Sequence, residues 1–141
     1  MDIYTRKINY YDTDKMSVVH HSNYIRYMEE ARIHLMDEWG IGLEEIEKLG
    51  LVIPVLSVTS NYIKPARFGE DIEVRTKLTG YNGVKFSFEY EMYNPATGEL
   101  LNTGNSSHAI IRDDMTPINI KRKFPDLYKK FMEISEEEME K

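Results

Sequence analysis

Between residues 12 and 24 the chain reads Asp12-Thr13-Asp14-Lys15-Met16-Ser17-Val18-Val19-His20-His21-Ser22-Asn23-Tyr24. Two carboxylates and two adjacent imidazoles sit where a loop gives way to an amphipathic helix. The first turn of a helix leaves backbone N–H groups unpaired at the positive end of its dipole. A carboxylate beside such donors can attack a polarised carbonyl, or activate water to do so, while the donors take up the developing negative charge. Acyl-group chemistry is the reaction class this stretch predicts. Other readings stand beside it. Asp14 taken alone is equally a turn-former or a helix cap. His21 is a base, a side-chain donor, or a residue contributing only its backbone N–H. His20-His21 is a poor metal pair, because adjacent side chains seldom point at one centre and no His-Glu-x-x-His motif is present.

The helix that must position these groups runs from about Ser22 to Trp39. Tyr24, Met28, Ala31 and Leu35 form an apolar stripe, widened by Tyr27. Arg26, Glu30, Asp37 and Glu38 take the opposite side, Ser22 or Asn23 caps the start, and Gly40 ends it. Before the helix, residues 3–11 read as a strand with Ile8 and Tyr10 on one face. After it, Leu43–Leu49 reads as a short helix with Leu43, Ile46 and Leu49 facing inward. The period then becomes two. Val52–Ile63 (beginning around Pro54), Ile72–Thr79, Val84–Met92 and Leu100–Arg112 read as strands, separated by turns at residues 65–69, 81–83 and 94–98. Small residues at 103–107 permit close approach of the helix or leave room for a ligand. Pro125–Ser135 reads as a terminal helix, and the glutamate-rich residues after about 135 are expected to fray. One long helix against an antiparallel meander is an α+β arrangement.

The 141 residues form one expected domain, 1–141, with no repeat or linker. The net charge of −6 argues against a nucleic-acid partner. With no cysteine there is no disulfide, thiol nucleophile or cysteine zinc site. No basic-then-apolar leader and no membrane-length apolar run is present, so the expectation is a cytoplasmic protein with no membrane partner.

Ile8-Asn9-Tyr10-Tyr11-Asp12-Thr13-Asp14, Val18-Val19 and His21-Ser22-Asn23-Tyr24 together resemble the signature of hotdog-fold acyl-CoA thioesterases. The nearest group is the 4-hydroxybenzoyl-CoA thioesterases, in their YbgC-like branch. The resemblance continues through Arg26-Tyr27-Met28-Glu29-Glu30-Ala31-Arg32 and Tyr62-Ile63-Lys64-Pro65-Ala66-Arg67-Phe68-Gly69-Glu70. It implies a curved antiparallel sheet wrapped around one long central helix. It implies Asp14 as the catalytic carboxylate, as nucleophile or general base, and His21 as the position whose N–H polarises the carbonyl. Glu29 is implied as the helix residue reading the acyl group. Tyr24 and Asn23 are expected at the substrate, although Asn23 is equally a cap or loop brace. Glu29, by its spacing, is equally a solvated residue partnered by Arg26 or Arg32. Lys64, Arg67, Lys85 and the run Lys121-Arg122-Lys123 are candidates for the phosphates of coenzyme A.

The implied activity is hydrolysis of an acyl-CoA to acid and coenzyme A, without a metal or a cofactor beyond the coenzyme A of the substrate. An acyl-carrier-protein thioesterase and a non-catalytic acyl-CoA-binding protein are the alternatives. The resemblance also implies a homo-oligomer, a two-fold dimer or a homotetramer built as a dimer of dimers, with active sites at the interface. Val84–Met92 and Leu100–Arg112 are the strands expected to contribute there. The family has Gly where this chain has Ser17, so the loop path is expected to differ locally.

Overall fold

Phe86, Phe88, Tyr90 and Met92 alternate with polar residues, and all four are buried in the computed structural model, which describes residues 2–140. Their strand, β5 (Lys85–Tyr93), is the centre of a five-stranded antiparallel sheet. Its neighbours are β4 (Asp71–Tyr81) and β6 (Leu100–Ala109). Outside them lie β1 (Asp2–Lys7) and β3 (Val55–Tyr62), giving the order β1-β4-β5-β6-β3. A second pair joins β2 (Leu51–Val52) to β7 (Ile111–Arg112). The helices are α1 (His21–Glu38), α2 (Leu43–Lys48), α3 (Ile120–Lys123) and α4 (Pro125–Glu140).

The sheet's apolar face packs on α1 through the predicted stripe: Tyr24, Tyr27, Met28, Ala31 and Leu35 are all buried. The small residues of β6 serve this contact. A Cβ on Gly104 would stand 2.3 Å from Met28 Cε and 2.6 Å from the Thr59 carbonyl oxygen, so only glycine lets helix and strand meet there. Phe131 of α4 extends the same core, edge-on to Phe86 at 5.0 Å.

Several local expectations are corrected. The first strand ends at Lys7, and Tyr10–Asp12 form a 3-10 turn. Ile8 is buried while Tyr10 is exposed, because alternation stops where the chain turns. The strand expected to begin around Pro54 begins at Val55 and ends at Tyr62, and Leu51–Val52 pair in the second sheet: Pro54 has no N–H to give a ladder, and the chain changes sheet there. Leu100–Arg112 divides likewise at Ile110, whose N–H turns to the Val84 carbonyl. Leu49 follows the end of α2 and is exposed, leaving Ile46 as the deep contact. The four residues of α3 were not expected as a helix, and α4 continues to Glu140. Lys141, in the expected fraying end, lies outside the described residues. The strands expected to contribute at an interface, β5 and β6, are interior and have both hydrogen-bonding edges occupied. The outermost strands of the main sheet are β1 and β3.

Candidate active site

The residues before α1 form a tight loop sewn by backbone hydrogen bonds. Asp14 N–H donates to Val18 O at 2.9 Å, and Ser17 N–H donates to Asp14 O at 3.1 Å. Ser17 sits at φ +62°, so it keeps the left-handed backbone that glycine adopts more easily. The two segments that carried the resemblance meet here. Val19 N–H donates to Ala66 O at 2.8 Å, and Phe68 N–H donates to Ser17 O at 3.2 Å. Val18 and Arg67 form an antiparallel bridge, as do Thr13 and Val19.

Asp14 is half-buried. Its Oδ1 accepts the Met16 N–H at 2.8 Å, and its other oxygen has no hydrogen-bond partner among the described residues. One bond therefore orients the carboxylate and leaves an oxygen available. The loop is joined directly to the helix start, because His20 N–H donates to Asp12 O at 2.9 Å. The cap of α1 is His20, not Ser22 or Asn23. Its Nδ1 accepts the Ser22 N–H at 3.2 Å. Asn23 instead donates from Nδ2 to Asp12 O at 2.8 Å and is buried, which is the brace reading of that residue.

His21 is the first helical residue, and its backbone N–H has no acceptor among the described residues. Its carbonyl accepts the Tyr62 hydroxyl at 3.0 Å, which ties the helix start to the end of β3. Tyr62 lies in a matched segment, but nothing in its spacing points to that bond. A shallow groove runs beside the helix start, lined by Val19, His21, Tyr24, Tyr62, Ile63, Lys64 and Pro65. Tyr24 is its buried wall, with its hydroxyl accepting the Ala66 N–H at 3.3 Å. Burial raises the Tyr24 pKa, so the hydroxyl stays neutral. No group of three or more His, Asp or Glu side chains that could hold a metal occurs among the described residues.

The candidate phosphate-binding cations separate. Arg67 is exposed next to the loop, with no side-chain partner among the described residues. Lys64 pairs with Glu99. Lys85 lies opposite Ala109, about 24 Å along the ladder from the Tyr62–Asn102 rung near His21. Lys121 of the basic run lies over the Tyr128 ring, beside Asn82–Val84 at that same far end.

Glu29 is not part of the groove. It is exposed, about 12 Å along the helix axis from His21. It lines a deeper aromatic cavity with Arg32, Trp39, Phe86 and Phe88. Beneath Arg32 runs a buried polar chain. Arg32 Nη1 donates to Tyr90 Oη at 3.1 Å, Tyr90 Oη and Ser106 Oγ are 2.6 Å apart, and Ser106 Oγ lies 2.8 Å from His108 Nε2. With each hydroxyl proton pointing on toward His108, Nδ1 is the buried atom of the Tyr90–Ser106–His108 chain left unpaired among the described residues. Burial first, and the charge of Arg32 second, push the His108 pKa down to about 4, so the imidazole is neutral.

A family model described as the thioesterase-like superfamily matches residues 8–140. YneP of Bacillus subtilis (strain 168), whose name is that of an acyl-CoA thioesterase, is 37% identical over 121 residues, covering 85% of this chain and 87% of YneP. The acyl-CoA thioester hydrolase YbgC of Escherichia coli O157:H7 is 28% identical over 96 residues, covering 68% of this chain and 71% of YbgC. Among solved structures, a DHNA-CoA thioesterase from Staphylococcus aureus matches with a TM-score of 0.88 and 31% identity, covering 95% of this chain and 90% of that one.

Proposed function

The chain belongs to the thioesterase-like superfamily and has a hotdog fold, and we propose that it hydrolyses acyl-CoA thioesters at Asp14, releasing a free acid and coenzyme A. The observation that carries the site assignment is the available Asp14 oxygen, held in a loop bonded to the open N-terminus of α1. Asp14 adds to the thioester carbonyl carbon, or takes a proton from a water that adds there. The carbonyl oxygen gains the electron pair and accepts a hydrogen bond from the His21 N–H. Collapse breaks the C–S bond, and the thiolate leaves and is protonated as coenzyme A. On the first route, water then hydrolyses the acyl–Asp14 anhydride. Arg67, exposed beside this loop, is our candidate for binding the coenzyme A phosphates.

The test is free-thiol release from acyl-CoAs that differ in chain length and aromaticity. Asp14→Asn keeps the size and the Met16 bond but removes the charge. Turnover is expected to fall by about two to four orders of magnitude, as for loss of a general base or more. Near wild-type hydrolysis by the folded variant would remove Asp14 from the mechanism.

As finer readings, residues 1–141 act as one domain in the cytoplasm, and two copies join along β3. Support for the dimer comes from the sheet edge. Val55, Leu56, Tyr62 and Ile63 are each 50% exposed or more, and an apolar edge strand is normally covered. Tyr62 and Ile63 also line the groove, so pairing there would put the active site at the interface. Light scattering at assay concentration should give a dimer or a dimer of dimers. A fully active monomer would contradict the shared-site reading.

A further inference from the structure

Arg6 joins three elements through one guanidinium. From β1, its Nη1 donates to both oxygens of Glu30 on α1, at 3.1 and 2.7 Å. Its Nη2 donates to Asp12 Oδ2 at 2.9 Å, and its Nε to the Lys7 carbonyl at 3.1 Å. The guanidinium also lies over the Tyr27 ring, 4.5 Å from its centroid. A planar fork of donors can hold all these groups at once, whereas an ammonium cannot match that geometry.

Asp12 is what makes this more than a brace between a strand and a helix. Its side chain is only 6% exposed, and the same Oδ2 that meets Arg6 also accepts the Asn9 N–H at 2.9 Å. Its carbonyl accepts from both His20 N–H and Asn23 Nδ2. Thr13, the residue between Asp12 and Asp14, is itself bridged to Val19. Moving Asp12 therefore shifts the carboxylate two residues on and the helix start that presents the His21 N–H. A buried carboxylate that loses its cation has strong reason to move toward water.

We propose that Arg6 is a positioning residue for hydrolysis: through Asp12 it fixes the Asp14 carboxylate relative to the N–H of His21. It touches no reacting atom. This rests on the assignment of Asp14, which Asp14→Asn tests on its own.

The experiment measures kcat and KM for Arg6→Lys in the wild-type and Asp14→Asn backgrounds, with unfolding midpoints to confirm folded protein. In the wild-type background kcat should fall about 10- to 100-fold, the scale of a misplacement near 1 Å, while KM stays within about threefold. In the Asp14→Asn background the same substitution should change kcat less than about threefold, because the group it positions is already disabled. Equal proportional losses in both backgrounds would reduce Arg6 to a structural tie and overturn the proposal, as would an unchanged kcat. If Arg6→Lys does not fold, Asp12→Asn carries the same two expectations, since it weakens the Arg6 pair and keeps the backbone bonds of residue 12. Full activity of Asp14→Asn alone would instead sink the catalytic assignment.

Discussion

At its first turn α1 meets a loop held by backbone hydrogen bonds, and its leading N–H has no acceptor among the described residues. Eleven residues on, about 16 Å along the axis, Arg32 stands on a buried chain of side-chain hydroxyls and an imidazole, facing an aromatic cavity. The first region leaves polar atoms available; among the described residues the second leaves only His108 Nδ1 unpaired within its polar chain, and that atom is sealed in the core. The contrast separates two tasks. Available donors and an available carboxylate oxygen are what bond making needs, because they bind most strongly to charge that develops during reaction. A fixed, desolvated arrangement is what discrimination between ligands needs, because a mismatched group leaves buried polar atoms unpaired.

The larger effect expected from the buried region is on stability. The folded pKa of His108 lies near 4, below the ordinary value of 6.5. For an imidazole, that means the unfolded chain binds more protons between these values. The neutral His108 contribution is therefore fully present above about pH 6.5 and is lost as the pH falls toward 4. From pH 7 to 4.5 this one group should cost about 2 kcal/mol. Urea unfolding of wild type and His108→Asn at both pH values isolates it: the wild type should lose about that much more. Equal losses would mean the imidazole is not held neutral, and the contrast between the two ends would weaken. His34 acts with the opposite sign, since its hydrogen bond to Asp2 raises its pKa and its contribution fades as the pH rises. Both variants retain it, so it cancels.

A smaller effect is expected at the cavity mouth. Glu29→Gln should change the ranking among acyl-CoAs with and without a polar substituent by about tenfold, roughly 1.4 kcal/mol, while the best turnover changes little. A uniform collapse across substrates would make Glu29 a second catalytic carboxylate. No change at all would return it to the solvated surface, where its spacing from Arg26 and Arg32 also fits.

How much of this could be read in advance varies from element to element. The buried stripe of α1 and the alternation of β5 were legible because burial imposes a period, and a period survives in the sequence. Pro54 marks the start of β3 to within one residue, because a residue with no N–H cannot continue a ladder, but nothing in the period shows that Leu51–Val52 pair in a separate sheet. The capping role of His20 was hidden, since Ser22 and Asn23 are the commoner caps. The resemblance, rather than any spacing, singled out Asp14 and His21. Ser17 marks the limit of composition: a serine holds the positive φ that a glycine would have advertised. The bonding roles of Arg6 and Tyr62 were not visible: the Arg6–Asp12 pair depends on the 3-10 turn at Tyr10–Asp12, where the period suggested a continuing strand, and the Tyr62 bond to the His21 carbonyl joins positions 41 apart in the chain.

In the proposed hydrolysis at Asp14, the backbone N–H of His21 stabilises the reacting oxygen. Two substitutions of one residue test it. His21→Ala removes the imidazole and keeps the N–H. His21→Pro removes the N–H at the first helical position, where proline is well tolerated, and His20 at φ −62° and ψ 139° already has the conformation a following proline requires. Turnover of acyl-CoA should stay within a few-fold of wild type for His21→Ala and fall about 100- to 1,000-fold for His21→Pro, the scale for one oxyanion donor, with the unfolding midpoint retained. A folded His21→Pro protein as active as His21→Ala would contradict the claim.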